Sequence, residues 1–321
     1  MSSLRNQKII VFGGTGFIGR YVIQRLARTG ATVVVPTRNI ERAKFLRPLG
    51  EVGQITPVAF ALQNDRQLSE HLRGADAVIN LLGILFESGR QTRFDFIQHR
   101  WPEKLAKHAN AAGVKKFVHI SAIGADAKSP SAYARTKALG EAAVRQNFPS
   151  ATILRPSIVF GPEDNFFNLF AGLARLFHVL PLIGGGHTKF QPVYVGDVAD
   201  AVLAALQTPA GAGQIYELGG PEILSFKELL QLMLRESGQQ AKLVPLPFAV
   251  AKIQAALLQL LPKPLLTIDQ VKLLQVDNVA SSGARGLRDL GIIPKTLAAI
   301  LPEYMEQYRP GGKLADQSRA A

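Results

Sequence analysis

Two groups of residues in this 321-residue chain have the types and the spacing for chemistry. The first runs Gly13-Gly14-Thr15-Gly16-Phe17-Ile18-Gly19, directly after the apolar residues Ile9, Ile10, Val11 and Phe12. Glycines at 13, 16 and 19 suit a dinucleotide diphosphate: the first allows a tight turn, the second lets backbone approach the anion, and the third lets a helix close on a sheet. The anion would then meet the N–H groups of Thr15, Gly16, Phe17 and Ile18 at the positive end of a helix dipole. Glycine triads also mark ordinary turns, but here strand, glycines and helix come in order. The second group is Tyr133 and Lys137, four apart at the head of a helix and so on one of its faces. An ammonium beside a phenol stabilises the phenolate, which would let Tyr133 move a proton near neutral pH.

Elements must hold these groups in place. Short β-branched runs at Ala31–Pro36, Ile55–Ala61, Ala77–Leu82, Lys116–Ser121 and Ala151–Leu154 follow the first strand. Between them lie helical patterns at Phe17–Thr29, Asn39–Leu46, Gln67–Leu72, Pro102–Ala112 and Ser131–Gln146. This alternation predicts an α/β, Rossmann-type, doubly wound parallel sheet over residues 1–160, with the chain free to return to the sheet after 190. Residues 161–309 read as a smaller, mostly helical substrate or partner lobe laid over the carboxyl ends of that sheet. It includes a helix at Asn165–Phe177, short strands at Gln191–Val195 and Ile215–Leu218, and a capping box, Ser225 with Glu228, opening a helix to Ser237. The tail from Pro310 reads as disordered. Phe248–Leu261, fenced by Pro247 and Pro262, is apolar almost all round, which suits either a buried helix or a surface for a partner or membrane interface.

Composition narrows the classes. Apolar residues make up 47% of the chain, enough for a substantial core, and there is no cysteine, so disulfides and thiolate metal sites are excluded. The six histidines form no close pair at ligand spacing, so no metal is expected. Net charge is +13, and residues 1–50 carry nine Lys or Arg against one acid, Glu41. An anionic partner or a phosphate-rich cofactor would balance this; with one Trp and no recognisable module, nucleic acid is the least favoured. Only Met1–Gln7 precede the first strand, too few for a signal or transit peptide, and no apolar run spans a bilayer. The expected location is cytoplasmic.

The residue past the second strand selects between nicotinamide cofactors, an acid for the ribose 2′-OH and an Arg for a 2′-phosphate. Here the run is Thr37-Arg38-Asn39, with Arg42 and Lys44 behind. NADP(H) is favoured over NAD(H), with Arg38 as the phosphate partner, although such basic clusters also simply solvate a helix start.

The glycine loop, Ser121, the YARTK segment around Tyr133, Leu154-Arg155-Pro156 and Phe160-Gly161-Pro162 together resemble the extended, epimerase-like branch of the short-chain dehydrogenase/reductase superfamily, from Lys8 to about Gly220. The runs IIVFGGTGFIGRYV, AVINLLGIL, FVHISAIG, ILRPSIVFGPED and VYVGDVA further resemble the atypical group that includes the NAD(P)H-binding accessory subunit of respiratory complex I. The resemblance implies that Gly13, Thr15, Gly16, Phe17 and Ile18 bind the diphosphate and that Leu82 and Gly83 line the adenine and ribose side. It implies that Ser121, Tyr133 and Lys137 lie at the nicotinamide ribose, and that the backbone of Pro156 and Ile158 meets the carboxamide. Two departures stand out. Ala122 occupies the position where active members carry a Ser or Thr, and losing one such donor can cost about a hundredfold in rate. Ala61-Leu62 stands where an Asp often holds adenine, leaving backbone contacts.

Three functions fit this pattern. One is a non-catalytic NADP(H)-binding subunit docked on complex I, peripherally attached at the cytoplasmic face of a bacterial inner membrane. Another is an active NADP(H)-dependent oxidoreductase or epimerase using Tyr133 and Lys137 on a carbonyl, sugar-nucleotide or quinone substrate. The third is a redox-sensing binder that regulates partners through cofactor occupancy. Asp164, Asp197 and Asp200 are not given acid–base roles, Asp197 being expected to cap a helix that starts at Val198; His99 and His119 read as structural, and Gly184–Gly186 as a flexible turn.

Overall fold

A computed structural model describes residues 3–89, 92–208, 212–262 and 264–309; the tail expected to be disordered lies outside these. Among the described residues, strands and α-helices are numbered here in chain order, and they divide into two units.

The first unit comprises the chain up to Pro156, then Gly196–Leu218 and Ser281–Ile293. Its strands are β1 (Lys8–Phe12), β2 (Thr32–Thr37), β3 (Ile55–Ala59), β4 (Ala77–Asn80), β5 (Lys116–Ile120), β6 (Thr152–Pro156) and β11 (Ile215–Leu218). They form one parallel sheet in the order β11-β6-β5-β4-β1-β2-β3, with Ile10 opposite Val34 on one side and Val78 on the other. Helices α1 (Phe17–Arg28), α2 (Asp65–Leu72), α3 (Trp101–Ala111) and α4 (Ala132–Asn147) make the crossovers, and α6 (Val195–Gln207) leads back to β11. Because both faces of such a sheet are covered, Ile9–Phe12 of β1 are buried, which is why they read as an unbroken apolar run rather than an alternation. In α1 the residues Val22, Ile23 and Leu26 make the buried stripe. Phe12, Phe60 and Trp101 meet edge-on or tilted, with centroids 5.1–5.8 Å apart, at the centre of one core. The Ile215–Leu218 strand is thus an edge of the main sheet, parallel to β6.

Several local expectations shift. The helix foreseen at Asn39–Leu46 is a run of 3-10 turns over Glu41–Leu49, with Pro48 inside it, where a proline nitrogen can donate no helical bond. β4 stops at Asn80: Leu81 N–H still donates to the Phe12 carbonyl of β1 at 2.9 Å, but Leu82 N–H leaves the ladder for Asn80 Oδ1 at 3.3 Å. A π-helical turn at Asp95–Arg100, unseen in the sequence pattern, precedes α3. Asp197 does not cap α6; the helix begins at Val195 and places Asp197, buried, in its first turn.

The second unit comprises Ser157–Val195, Gly219–Ala280 and the chain from Pro294. It holds β7 (Val159–Phe160), α5 (Phe167–Phe177), β8 (Val179–Ile183), β9 (Lys189–Phe190), β10 (Val193–Tyr194), β12 (Leu224–Ser225), α7 (Phe226–Glu236), β13 (Lys242–Leu246), α8 (Phe248–Leu258), α9 (Ile268–Leu273) and α10 (Leu297–Met305). The strands pair only two by two, β7 with β10, β8 with β13 and β9 with β12. Phe160, Phe167, Phe226, Leu229, Met233 and Leu301 form its core. The foreseen capping box opens α7: Ser225 N–H donates to Glu228 Oε2 at 2.7 Å and Glu228 N–H to Ser225 Oγ at 3.2 Å. Asp164 accepts from the N–H groups of Gly161, Phe166 and Phe167 and from Tyr304 Oη at 2.6 Å, so it ties α5 to α10. Of the two fates considered for the apolar stretch at 248–261, simple burial does not hold: α8 buries Ala251 and Ala255 and exposes Val250, Ile253 and Leu257.

Candidate active site and nucleotide cradle

The order of strands reverses between β4 and β1, and in an open α/β sheet the crevice at the carboxyl ends of those two strands is where ligands bind. The loop from Gly13 leaves β1 there, beside Leu81–Gly83 leaving β4. Gly13 has φ +82°, and a Cβ on it would stand 3.0 Å from the Leu81 carbonyl carbon and 3.1 Å from Leu82 N, so only glycine fits the turn without strain. A Cβ on Gly19 would lie 2.4 Å from Gly13 O and 2.6 Å from Gly14 backbone. The helix therefore sits directly on the loop. Gly16 N–H closes the turn onto Gly13 O at 3.0 Å, and Gly16 caps α1 with no side chain to bond its first amides. The N–H groups of Phe17 and Ile18 belong to the first helical turn, which has no intrahelical acceptor for them. No acid stands in that turn, so its field favours an anion.

Arg38 is exposed immediately after β2, and its neighbours are arranged around Asn39, whose N–H donates to Thr37 Oγ1 and whose Oδ1 accepts from Arg42 N–H. Lys44 pairs with Glu41 at 2.5 Å. Of the foreseen basic group, Lys44 is paired with an acid, while the guanidiniums of Arg38 and Arg42 make no ion pair with an acid among the described residues. Ala61 is exposed after β3, and Leu62 is half-buried with its carbonyl accepting from Lys104 Nζ at 3.1 Å.

Tyr133 and Lys137 lie in the first two turns of α4, which Ser131 caps by accepting from Ala134 N–H. Lys137 Nζ is 6.0 Å from the centre of the Tyr133 ring and donates to the Ile120 carbonyl at the end of β5 at 3.1 Å. A Cβ on Gly83 would be 3.4 Å from that same nitrogen. The foreseen residues Gly83, Lys137 and Tyr133 are therefore neighbours, although the sequence separates them by up to 54 positions. Their chemistry differs from expectation. Burial pushes the Lys137 ammonium down to about 8, with Glu141 opposing the fall, while burial pushes the Tyr133 phenol up to about 12. In this state burial raises the phenol, opposite to the direction expected from an ammonium beside it.

Ser121 follows β5, with its N–H on the Leu154 carbonyl at 2.8 Å and its Oγ buried without a partner. Pro156 ends β6, and its carbonyl accepts from Ile123 N–H at 3.0 Å. Ile158 belongs to the second unit, where its N–H donates to Asn278 Oδ1 at 3.2 Å and its carbonyl accepts from Val193 N–H.

Several residues supporting the site have no sequence motif. Asn80, fully buried at the end of β4, accepts from Trp101 Nε1 and Leu82 N–H at 3.3 Å through Oδ1, which leaves its Nδ2 to donate to His119 Nδ1 at 3.1 Å. His119 is then neutral with its proton on Nε2; burial, with Lys137 nearby, holds it down at about 3. Gln98 in the π-helical turn donates to the Ile84 carbonyl and accepts from Thr136 Oγ1, both at 2.8 Å, so it ties the segment after β4 to α4 one residue before Lys137. A Cβ on Gly140 would be 1.9 Å from Gln98 O, so that contact depends on a glycine. Buried Glu141 takes Arg155 in a two-pronged pair, 2.9 and 2.6 Å, and Arg155 reaches Glu217, whose Oε2 accepts from Ser281 N–H. The available signals were a polar residue closing an apolar strand and charges at i+4 from Lys137. His99, by contrast, pairs with Asp95 at 3.0 Å. Among the described residues no cluster of three His, Asp or Glu could hold a metal, and no helix is long and apolar enough to cross a membrane.

A family model described as the NAD dependent epimerase/dehydratase family matches residues 9–219. NADH dehydrogenase (ubiquinone) 1 alpha subcomplex subunit 9, mitochondrial, of Arabidopsis thaliana is 38% identical over 323 residues, covering 97% of this chain and 80% of the relative. The Dictyostelium discoideum protein of that name is 35% identical over 305 residues, covering 94% and 85%. Among solved structures, the NADPH-dependent quinone oxidoreductase QOR2 of Escherichia coli, complexed with NADPH, superposes with a TM-score of 0.73 at 22% identity, covering 92% of this chain and 98% of that one; the likeness is one of fold. With a doubly wound parallel sheet, a glycine cradle at its switch point and these relatives, the chain belongs to the NAD dependent epimerase/dehydratase family, and within it to the family of the subunit 9 proteins.

Proposed function

We propose that this chain is a non-catalytic, NADP(H)-binding accessory subunit of a respiratory complex I, held at the membrane by that assembly. One observation carries the proposal: backbone packing preserves a nucleotide cradle in which Gly13 and Gly19 admit no Cβ, while Ala122 stands in place of a hydroxyl and the Tyr133 phenol is pushed up to about 12. Relatives covering nearly the whole chain bear a complex I subunit's name, which supports the assembly.

In this reading the amides of Gly13, Thr15, Gly16, Phe17 and Ile18 hold the diphosphate, and exposed Arg38 takes the 2′-phosphate, selecting NADP(H) over NAD(H). Ala61, Leu62, Leu82 and Gly83 border the adenosine side; Ser121, Tyr133, Lys137 and Pro156 border the nicotinamide side. The bound nucleotide would supply a hydride donor or acceptor, but the chain offers no Ser or Thr at 122 to stabilise oxyanion charge. Its benefit is instead mass action on folding, since a ligand that binds only the folded chain stabilises it.

Calorimetric titration with NADPH and NADH tests this. NADPH should bind more tightly, and incubation with carbonyl or quinone acceptors should leave its absorbance unchanged. Failure of both nucleotides to bind would overturn the proposal. The proximity of Lys137 to Tyr133 favours a second reading, an active oxidoreductase or epimerase. Turnover that vanishes in Tyr133→Phe with nucleotide affinity preserved would establish it instead.

A further inference from the structure

We propose that the outer face of α8 rests on an anionic lipid bilayer, so that the chain contacts the membrane directly. The helix carries two apolar stripes. Phe248, Ala251, Ala255 and Leu258, spaced three, four and three, face inward; Ala251 and Ala255 are fully buried, and Phe248 and Leu258 partly so. Val250, Ile253, Leu257 and, just past the helix, Leu260 repeat the same spacing on the opposite side and are 48, 68, 67 and 80% exposed. At 100° per residue the two stripes are centred about 160° apart. The fully buried positions of the helix are thus alanines, while four large aliphatic residues meet solvent, more than a helix that merely completes a core would expose. Leu261 and Leu265 continue the exposed apolar run.

The charges around the stripe identify its partner. Between Glu236 and Asp269 the chain has no acid and three lysines, Lys242, Lys252 and Lys263. Lys252 is exposed on the flank of α8, about 120° around the helix from the centre of the outer stripe, and Lys242 is exposed in β13. Lysine beside large aliphatic residues, with no acid among them, matches an interface where acyl chains lie below anionic headgroups. A protein interface is instead depleted of lysine and mixes both signs at its rim. At 11 residues α8 is too short to span a bilayer and would lie in the plane of the surface. This surface lies in the second unit and does not depend on nucleotide binding.

Sedimentation of the full chain tests the proposal, using vesicles of phosphatidylcholine alone and vesicles with equal phosphatidylcholine and phosphatidylglycerol. The chain should sediment with the mixed vesicles and much less with the neutral ones. Leu257→Glu or Ile253→Glu should weaken partitioning about tenfold, as expected for replacing an inserted aliphatic with a charge. Lys252→Gln should weaken it about fivefold. Val52→Glu, at a fully exposed apolar position in the first unit, should change nothing. The substituted positions face solvent, so melting temperatures should hold; Ile253→Ser serves where a glutamate disturbs folding. No sedimentation with mixed vesicles, equal binding to both vesicle types, or native-like binding by the stripe variants would overturn the proposal. So would capture by lipid-stripped complex I through this stripe in the absence of vesicle binding, which would make it a protein interface.

Discussion

Two ends of one crevice are built by different means. At β1 and α1 the cradle is made of backbone: glycine 13 approaches the Leu81–Leu82 peptide and glycine 19 approaches glycine 13, each so closely that a methyl group would collide. Around α4 the geometry depends on buried polar side chains, Lys137 on the Ile120 carbonyl, Glu141 on Arg155, and His119 on Asn80. Close packing of backbone restricts the cradle to one arrangement at little electrostatic cost. Buried charges hold their arrangement only while every partner is present, and they shift the proton affinities that chemistry would need. The difference teaches that the two ends can change independently: an alanine at position 122 leaves the glycine cradle untouched.

Breaking the polar end should have the largest effect. Glu141→Ala takes the two-pronged partner from Arg155, leaving it Glu217, and removes the acid that favours the Lys137 ammonium; loss of a largely buried partner predicts about 2–4 kcal/mol lower stability in urea unfolding. A loss under about 1 kcal/mol would mean that water already screens the pair.

His119 should make the same end sensitive to acid. Its folded-state value, about 3, lies below the ordinary 6.5, so the folded chain takes up its proton later than the unfolded chain. The contribution is intact above about 6.5 and is lost progressively as pH falls towards 3, at up to about 1.4 kcal/mol per pH unit. His119→Asn should flatten the difference in unfolding free energy over that window. An identical acid slope in the variant would refute the assignment.

At the backbone end, Gly19→Ala must displace Gly13 or α1, and overpacking predicts a loss of about 1–3 kcal/mol together with most nucleotide affinity. Normal NADPH binding by this variant would show that the loop has slack. Arg38→Ala should leave stability nearly unchanged and weaken NADPH binding about tenfold or more, with NADH unaffected, which calorimetry would read. Equal weakening of both nucleotides would assign Arg38 a different contact. The smallest effect is expected from Ala122→Ser: with the Tyr133 phenol pushed up to about 12, an added hydroxyl should not produce measurable NADPH oxidation. Appreciable turnover would show that position 122 alone had separated binding from catalysis.

Much of this organisation was legible in the chain because it is written in short range. Ile9–Phe12 followed by glycines and the α1 stripe needs only local pattern, and Tyr133 with Lys137 needs only helical spacing. The β8–β13 pair was not legible, since Val179–Ile183 and Lys242–Leu246 become strands by meeting partners 63 positions away in the chain. The outward face of α8 was equally hidden, because periodicity locates stripes but cannot say which one meets the core.

From the amino-acid order alone came the parallel α/β class, the glycine loop and the Tyr–Lys face, since each depends on residue identity and near neighbours; the alanine at 122 stood out only against the family that the chain resembles. Only the tertiary structure decided that Gln98 ties the end of β4 to α4, that Glu141, Arg155 and Glu217 form one buried chain of charge, and that burial drives Lys137 and Tyr133 in opposite directions. Those properties arise from desolvation and from contacts between distant segments, and neither exists until the chain has closed around them.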